Sequence, residues 1–230
     1  VQELRRLSSS TFELKLARPE GFEFSPGQYA LFPREPDDAA YTMVCAPGGP
    51  TLDFCIRLTG GRFTASLSKL EPGDLLEISG PRGHFTFNSS ERQAVLVATG
   101  TGIAPFVSYV KAGLAGYVLL HGARGPSELY YEEVLRPAAR LYVPCISNSG
   151  KVEPGPMPLE TVDQKDDAGA RGPSGSEKSH GGRVTDYLGR RLPQGLYDFY
   201  LCGLSDMIRE ALHMIDERFP GSFVYTEPFY

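Results

Sequence analysis

No stretch of this chain approaches the roughly 18 to 20 consecutive apolar residues of a membrane-spanning helix. Its 4 cysteines, Cys45, Cys55, Cys145 and Cys202, form no CxxC pair and no Cx4CxxC cluster. That scatter argues against a zinc site and against a plant-type iron–sulfur centre, and no metal is expected. Free thiols in a reducing cytoplasm are the simplest reading. Positive charge is also in short supply: the formal net charge is −5. A nucleic-acid binder needs a basic face, so no such partner is expected. The chain opens at Val1 without a secretory signal pattern, and the expectation is a cytoplasmic protein. What is present is ordinary for a globular chain: 230 residues, 41% hydrophobic and 22% charged. This is enough for one large domain or two modest ones.

The rest of the chain is organised around residues 94–109, AVLVATGTGIAPFVSY. Residues 94–98 are an unbroken run of small apolar side chains, the pattern of a strand buried on both faces of a parallel sheet. The run breaks at Thr99-Gly100-Thr101-Gly102, and Pro105 follows where a first helical turn tolerates proline. A strand, a glycine turn and a helix N-terminus together make an anion site from backbone N–H groups, and phosphate is the usual occupant.

Before residue 90 the chain reads as short strands between glycine and proline turns. Strands are expected over 11–16, 28–32, 41–45, 52–58 and 75–78, with one helix over 64–70. This is the pattern of a small antiparallel β-barrel. Polar residues 88–92 mark a junction. Beyond it, apolar strands over 94–98, 117–121, 141–146 and 198–202 alternate with helical patterns over 105–112, 127–135, 184–192 and 205–217. That alternation implies a parallel sheet with crossover helices. The expected division is 1–90 and 91–230. Residues 149–182 are rich in Gly, Pro, Ser, Asp and Lys; they are read as a mobile, functionally inert insertion.

Five motifs in order make the chain resemble the ferredoxin–NADP reductase family. Pro26-Gly27-Gln28-Tyr29 resembles its PGQY turn, and Tyr41-Thr42 the end of its RxY[ST] flavin motif. Gly61-Arg62-Phe63-Thr64 with Leu67 resembles its pyrophosphate loop. Residues 99–105 match its TGTGIAP turn. Leu201-Cys202-Gly203, Met207 and Glu227-Pro228-Phe229-Tyr230 match its nicotinamide-side motifs. The resemblance implies a two-part β plus α/β fold: an antiparallel barrel carrying FAD, then a Rossmann-like parallel-sheet domain carrying NADP(H). It implies hydride transfer with the nicotinamide C4 about 3 to 3.5 Å from the flavin N5. A ferredoxin or flavodoxin would be the single-electron partner.

The resemblance also implies roles. Tyr41 packs on the flavin ring, the Thr42 hydroxyl bonds near N5, and Met43, Ile56 and Arg57 belong to the flavin wall. Gly61, Arg62, Phe63, Thr64 and Thr101 receive the FAD phosphates. Phe229 covers the flavin face that nicotinamide must reach, so it swings aside in turnover, and Tyr230 takes the adenine side. On the nucleotide side stand Thr101, Gly102, Arg124, Ser147, Asn148, Arg183, Cys202, Gly203 and Met207. Thr42, Cys202, Glu227 and Phe229 form the catalytic group.

Two departures matter. The RxY[ST] arginine is replaced by Ala39. Losing a charge-assisted hydrogen bond of roughly 1.5 to 3 kcal/mol would weaken FAD about ten- to a hundredfold. Arg57 and Arg62 are near enough in motif order to substitute, and FMN or a readily dissociating flavin stays open. The family's Ser-Arg phosphate pair reads Ser147-Asn148 here, while Arg124 and Arg183 match two other arginines used on the 2′-phosphate. NADPH is the expected donor. Two other readings stay open: an NADH-dependent reductase component serving an oxygenase or a small-molecule acceptor, and a non-catalytic flavin-domain scaffold within a larger complex.

Overall fold

The computed structural model describes residues 1–148 and 179–229. Most of the proposed insertion, together with Tyr230, lies outside these residues. The first part is built from two three-stranded antiparallel sheets. One is ordered β1-β2-β5 and uses Glu3–Ser8, Thr11–Ala17 and Thr51–Arg57 for those strands. The other is ordered β4-β3-β6 and uses Tyr29–Phe32 (β3), Ala39–Thr42 (β4) and Ser79–Arg82 (β6). Phe12, Leu14 and Leu16 alternate along β2 and meet Phe32, Phe54 and Ile56 in one apolar core. The short helix α1 (Arg62–Leu67) closes this core with Leu67.

The second part is a six-stranded sheet, wholly parallel, ordered β10-β9-β8-β7-β11-β12. Its strands are β7 (Gln93–Thr99), β8 (Tyr117–Ala123), β9 (Ala139–Ile146), β10 (His180–Gly181), β11 (Tyr197–Leu204) and β12 (Phe223–Phe229). The centre of β7 is buried throughout and every residue of β8 is buried, as a central parallel strand requires. Helices α4 (Val184–Arg190) and α5 (Ser205–Arg218) cover one face. On α5, Met207, Ile208, Ala211 and Ile215 are buried, the spacing of one helical stripe. Helices α2 (Ala104–Lys111) and α3 (Glu132–Ala138) cover the other face, within an aromatic core containing Phe106, Tyr109, Tyr142 and Tyr200.

Three expectations differ from the structure. Residues 75–78 form no strand, and Leu75 is 96% exposed; the strand that pairs with β3 is the next segment, β6. The helix expected over 127–135 is a single 3-10 turn, Pro126–Glu128, followed by a break and then α3. The break is made by Tyr131 at φ 60, the left-handed region. Strands β1, β10 and β12 were not expected, and all three are edge strands; β10 is an ordered pair, His180–Gly181, inside the stretch read as a mobile insertion.

The break at Tyr131 has a tertiary cause. Tyr130 and Tyr131 are both buried and reach across to the first antiparallel sheet. The Tyr130 hydroxyl donates to Thr11 Oγ1 at 2.9 Å, and the Tyr131 hydroxyl to Glu13 Oε2 at 2.8 Å. Glu13 is 2% exposed and also accepts from Arg5 Nη2 at 3.1 Å. Ser108 Oγ on α2 adds a bond to the Cys45 carbonyl at 2.9 Å. These polar ties fix the two parts against each other. Removing one partner of a buried charged network costs several kcal/mol. Glu13→Ala is therefore expected to destabilise the protein by about 3 kcal/mol in urea unfolding. Glu13→Gln loses less, because its amide oxygen still accepts from Tyr131.

Candidate functional site

The ends of β3, β4 and β5 face the carboxyl ends of β7, β8, β9 and β11 across a cleft of about 830 Å³. The carboxyl edge of a parallel sheet is where α/β folds place their ligands, and a cleft of this size suits a nucleotide. On the α/β side the chain leaves β7 through a one-turn 3-10 helix, Gly100–Ile103, and enters α2 with Pro105 in its first turn. Gly100, Thr101 and Ala104 line the cleft. Gly100 adopts φ +56, and a Cβ there would meet nothing closer than Arg57 Nη1 at 4.0 Å, so the backbone stands open to a ligand.

Gly102 does a different job. It is buried, and a Cβ on it would lie 2.4 Å from the Cys202 carbonyl oxygen and 2.6 Å from Gly203 Cα. The turn thus rests directly on the end of β11. Gly203, at φ +134, lines the cleft at that contact. The Thr99 hydroxyl accepts the Leu204 N–H at 3.1 Å and ties the two loops together.

The cleft brings together most of the residues singled out from the sequence. Tyr41, Thr42, Arg57 and Thr64 line it from the antiparallel side. Thr101, Arg124, Ser147, Arg183, Gly203 and Met207 line it from the parallel side, and Glu227 and Phe229 from β12. Thr42 is buried on β4, and among the described residues its hydroxyl enters no hydrogen bond. Other residues stand back from the lining. Met43 and Ile56 are buried in the antiparallel core. Gly61 and Arg62 are exposed at the start of α1, and Asn148 is exposed after β9. Phe63 packs against the core from the first turn of α1.

Cys202 is fully buried one layer behind the cleft, level with Glu227 of β12 in the strand register. Burial, and then the Glu227 charge, push its thiol well above the ordinary range. It therefore stays a protonated, small apolar wall at neutral pH. Burial also raises the Glu227 carboxyl above its usual value near 4.5. A carboxyl at the rim of a cleft, tuned toward its acid form, can hold or release a proton there. Cys55 lines the cleft as well; burial drives its thiol up to about 12 and makes it inert as a nucleophile.

Sequence reasoning missed Thr185 and Arg34. Thr185 is 2% exposed, its Oγ1 has no hydrogen-bond partner among the described residues, and it lines the cleft beside Arg183. A buried hydroxyl left unpaired at a cleft wall is a ligand contact in waiting. The signal was there in Arg183-Val184-Thr185, next to an arginine already singled out. Arg34 sits in the turn after β3, where nothing local marks it.

The donor set fits dinucleotides. Guanidinium groups stand at both sides of the cleft, Arg34 and Arg57 on one part and Arg124 and Arg183 on the other, and Thr42, Thr64 and Thr185 share its lining. Such groups match phosphate geometry. Acidic side chains Asp38, Glu128, Asp206, Glu210 and Glu227 share the lining.

Comparison with known proteins agrees with this geometry. Residues 1–87 match the oxidoreductase FAD-binding domain, and residues 96–213 match the oxidoreductase NAD-binding domain. The chain belongs to the ferredoxin reductase family. Among curated members, a reductase component of naphthalene 1,2-dioxygenase/salicylate 5-hydroxylase systems from a Ralstonia species is 31% identical over 243 residues. That match takes in 100% of this chain and 66% of the relative. The reductase component of propane 2-monooxygenase from Rhodococcus jostii is 29% identical, over 94% of this chain and 58% of the relative. The chain thus spans less than two thirds of the length of these two ferredoxin reductase family members. The fold also matches the solved ferredoxin NADP+ reductase of Neisseria gonorrhoeae, with a TM-score of 0.74 at 19% identity. There the match covers 100% of this chain and 96% of that one.

Proposed function

We propose that the protein is an FAD-dependent oxidoreductase that exchanges hydride with NADP(H) and passes single electrons to or from a ferredoxin or flavodoxin. The observation that carries this reading is one cleft walled by both parts of the chain, with a pair of arginines on each wall. A bound flavin takes two electrons from a nicotinamide and hands them on one at a time. The chain's own residues hold and shield the reactants. Tyr41 and Thr42 form the wall on β4, Cys202 gives a neutral backing, and Glu227 offers a carboxyl tuned by burial. Phe229 occupies the cleft at the end of β12 and has to move for a second ring to enter. The buried thiols of Cys45, Cys55 and Cys202, which form no disulfide, support a cytoplasmic setting.

A second reading, an NADH-dependent reductase component of an oxygenase system, is favoured by one contact. Arg183 Nη1 lies 4.0 Å from Glu210 Oε2, and that carboxylate competes with a 2′-phosphate for the cation. The two curated relatives above are by name reductase components of oxygenase systems, with no preference for NADH in either name.

A visible spectrum of the protein with added FAD, followed by anaerobic NADPH or NADH, tests both. A flavin band bleached faster by NADPH is expected. In that case Arg124→Ala and Arg183→Ala each lose most of the preference. Bleaching by NADH alone favours the second reading, and a protein that retains no flavin band once unbound FAD is removed by gel filtration overturns both.

A further inference from the structure

We propose that Arg34 supplies the flavin-diphosphate cation that β4 lacks at Ala39, delivered from the turn of the same hairpin. This rests on the flavin reading above and names a residue that neither the motif order nor the strand pattern singles out.

The geometry begins with the register of the hairpin. Phe32 on β3 is paired with Ala39 on β4, and the chain between them carries Arg34. Ala39 is a buried methyl at the cleft wall and offers no charge. Arg34 projects into the same stretch of wall. Its guanidinium carbon lies 6.0 Å from the centre of the Phe63 ring, in the first turn of α1. Its charge is close enough to Tyr41 to act on that phenol. It therefore lies near both Phe63 and Tyr41, on the wall that also holds Thr59, Thr64 and Arg57.

Arg34 is also held in place and left available. Its Nε donates to the Asp37 carbonyl at 3.0 Å, which anchors the fork without using its two terminal nitrogens. Among the described residues neither Arg34 nor Arg57 enters an ion pair, although Asp38 lines the same wall. Two guanidinium groups with free donor edges on a wall that also carries two threonines are suited to a diphosphate. Arg62, the alternative in motif order, points its exposed side chain outside the cleft lining. Stacking of Arg34 on Phe63 holds the fork pre-oriented, which lowers the ordering cost of binding.

The test measures affinity, not turnover. Flavin-free protein is titrated with FAD and, separately, with riboflavin, which has the same ring system and no phosphate. Binding is followed by quenching of flavin fluorescence. Arg34→Ala is expected to weaken FAD about tenfold and leave riboflavin unchanged, with the difference shrinking as salt is raised. Arg34 is exposed, so the variant folds. The charge-matched Arg140→Ala, on the far edge of the parallel sheet, is expected to bind FAD like the parent. Unchanged FAD affinity in Arg34→Ala, or an equal loss for riboflavin, overturns the assignment and leaves the flavin reading standing. A parent protein that binds riboflavin but gains nothing from the FAD diphosphate overturns it as well. A parent that binds neither flavin overturns the flavin reading and the assignment together.

Discussion

Gly102→Ala is expected to lower stability by about 3 kcal/mol and the melting temperature by about 6 to 12 °C. The added methyl has no room. It would lie 2.4 Å from the carbonyl oxygen of Cys202 and 2.6 Å from Gly203 Cα, and both obstacles are backbone atoms. Backbone cannot swing away as a flexible side chain does, so the 3-10 turn and the end of β11 must separate. That movement carries Gly100, Thr101, Gly203 and Leu204, which line the cleft. Nucleotide affinity should fall with stability, and thermal unfolding with and without NADP+ reads both effects. Gly125→Ala is the matched control. A Cβ there meets nothing within 4 Å, and the backbone is extended at φ −151. Its stability should stay within about 0.5 kcal/mol of the parent.

Glu227→Gln is expected to slow NADPH-driven bleaching of bound FAD by about 10²-fold and to flatten its pH profile, as measured by anaerobic stopped-flow absorbance. The amide keeps the shape and a hydrogen-bonding edge, but it cannot exchange a proton. The same variant carries a stability signature with a definite sign. Burial raises the Glu227 carboxyl in the folded protein above its usual value near 4.5. The folded state thus favours the acid form. The stabilisation this gives is complete below the unfolded value and is lost as pH rises through the raised one. Relative to the parent, Glu227→Gln should therefore gain stability from about pH 4 upward toward neutrality. Equal unfolding midpoints across that range would mean that the carboxyl titrates as if in water.

The α/β half was readable because its signals are local. A run such as residues 94–98 fits a strand buried inside a sheet, and Thr99-Gly100-Thr101-Gly102 before Pro105 fits a turn that starts a helix. The strand and helix candidates after residue 90 accordingly fall on observed elements, apart from the stretch broken at Tyr131. That break came from outside the stretch, because two tyrosine hydroxyls bond to Thr11 and Glu13, more than a hundred residues away. Edge strands β1 and β12 escaped for a related reason. Half-exposed edges carry mixed side chains, and only the partner strand defines them.

The site divides along the same line. Sequence motifs alone placed Tyr41, Thr42, Thr64, Thr101, Arg124, Arg183, Glu227 and Phe229 in one function, and the folded chain lines one cleft with them. Chain order could not say that Arg34 reaches the wall left bare by Ala39, because the hairpin register brings them together across a turn. Nor could it show that Cys202 lies behind the wall, or that Thr185 holds a buried hydroxyl without a partner among the described residues. Glycines and buried runs act over a few residues, so the sequence by itself determined the two-part plan, while its motifs pointed to the cleft's main residues through their family resemblance. Burial, charge proximity and access depend on what the rest of the chain packs alongside, and only the tertiary structure decided those.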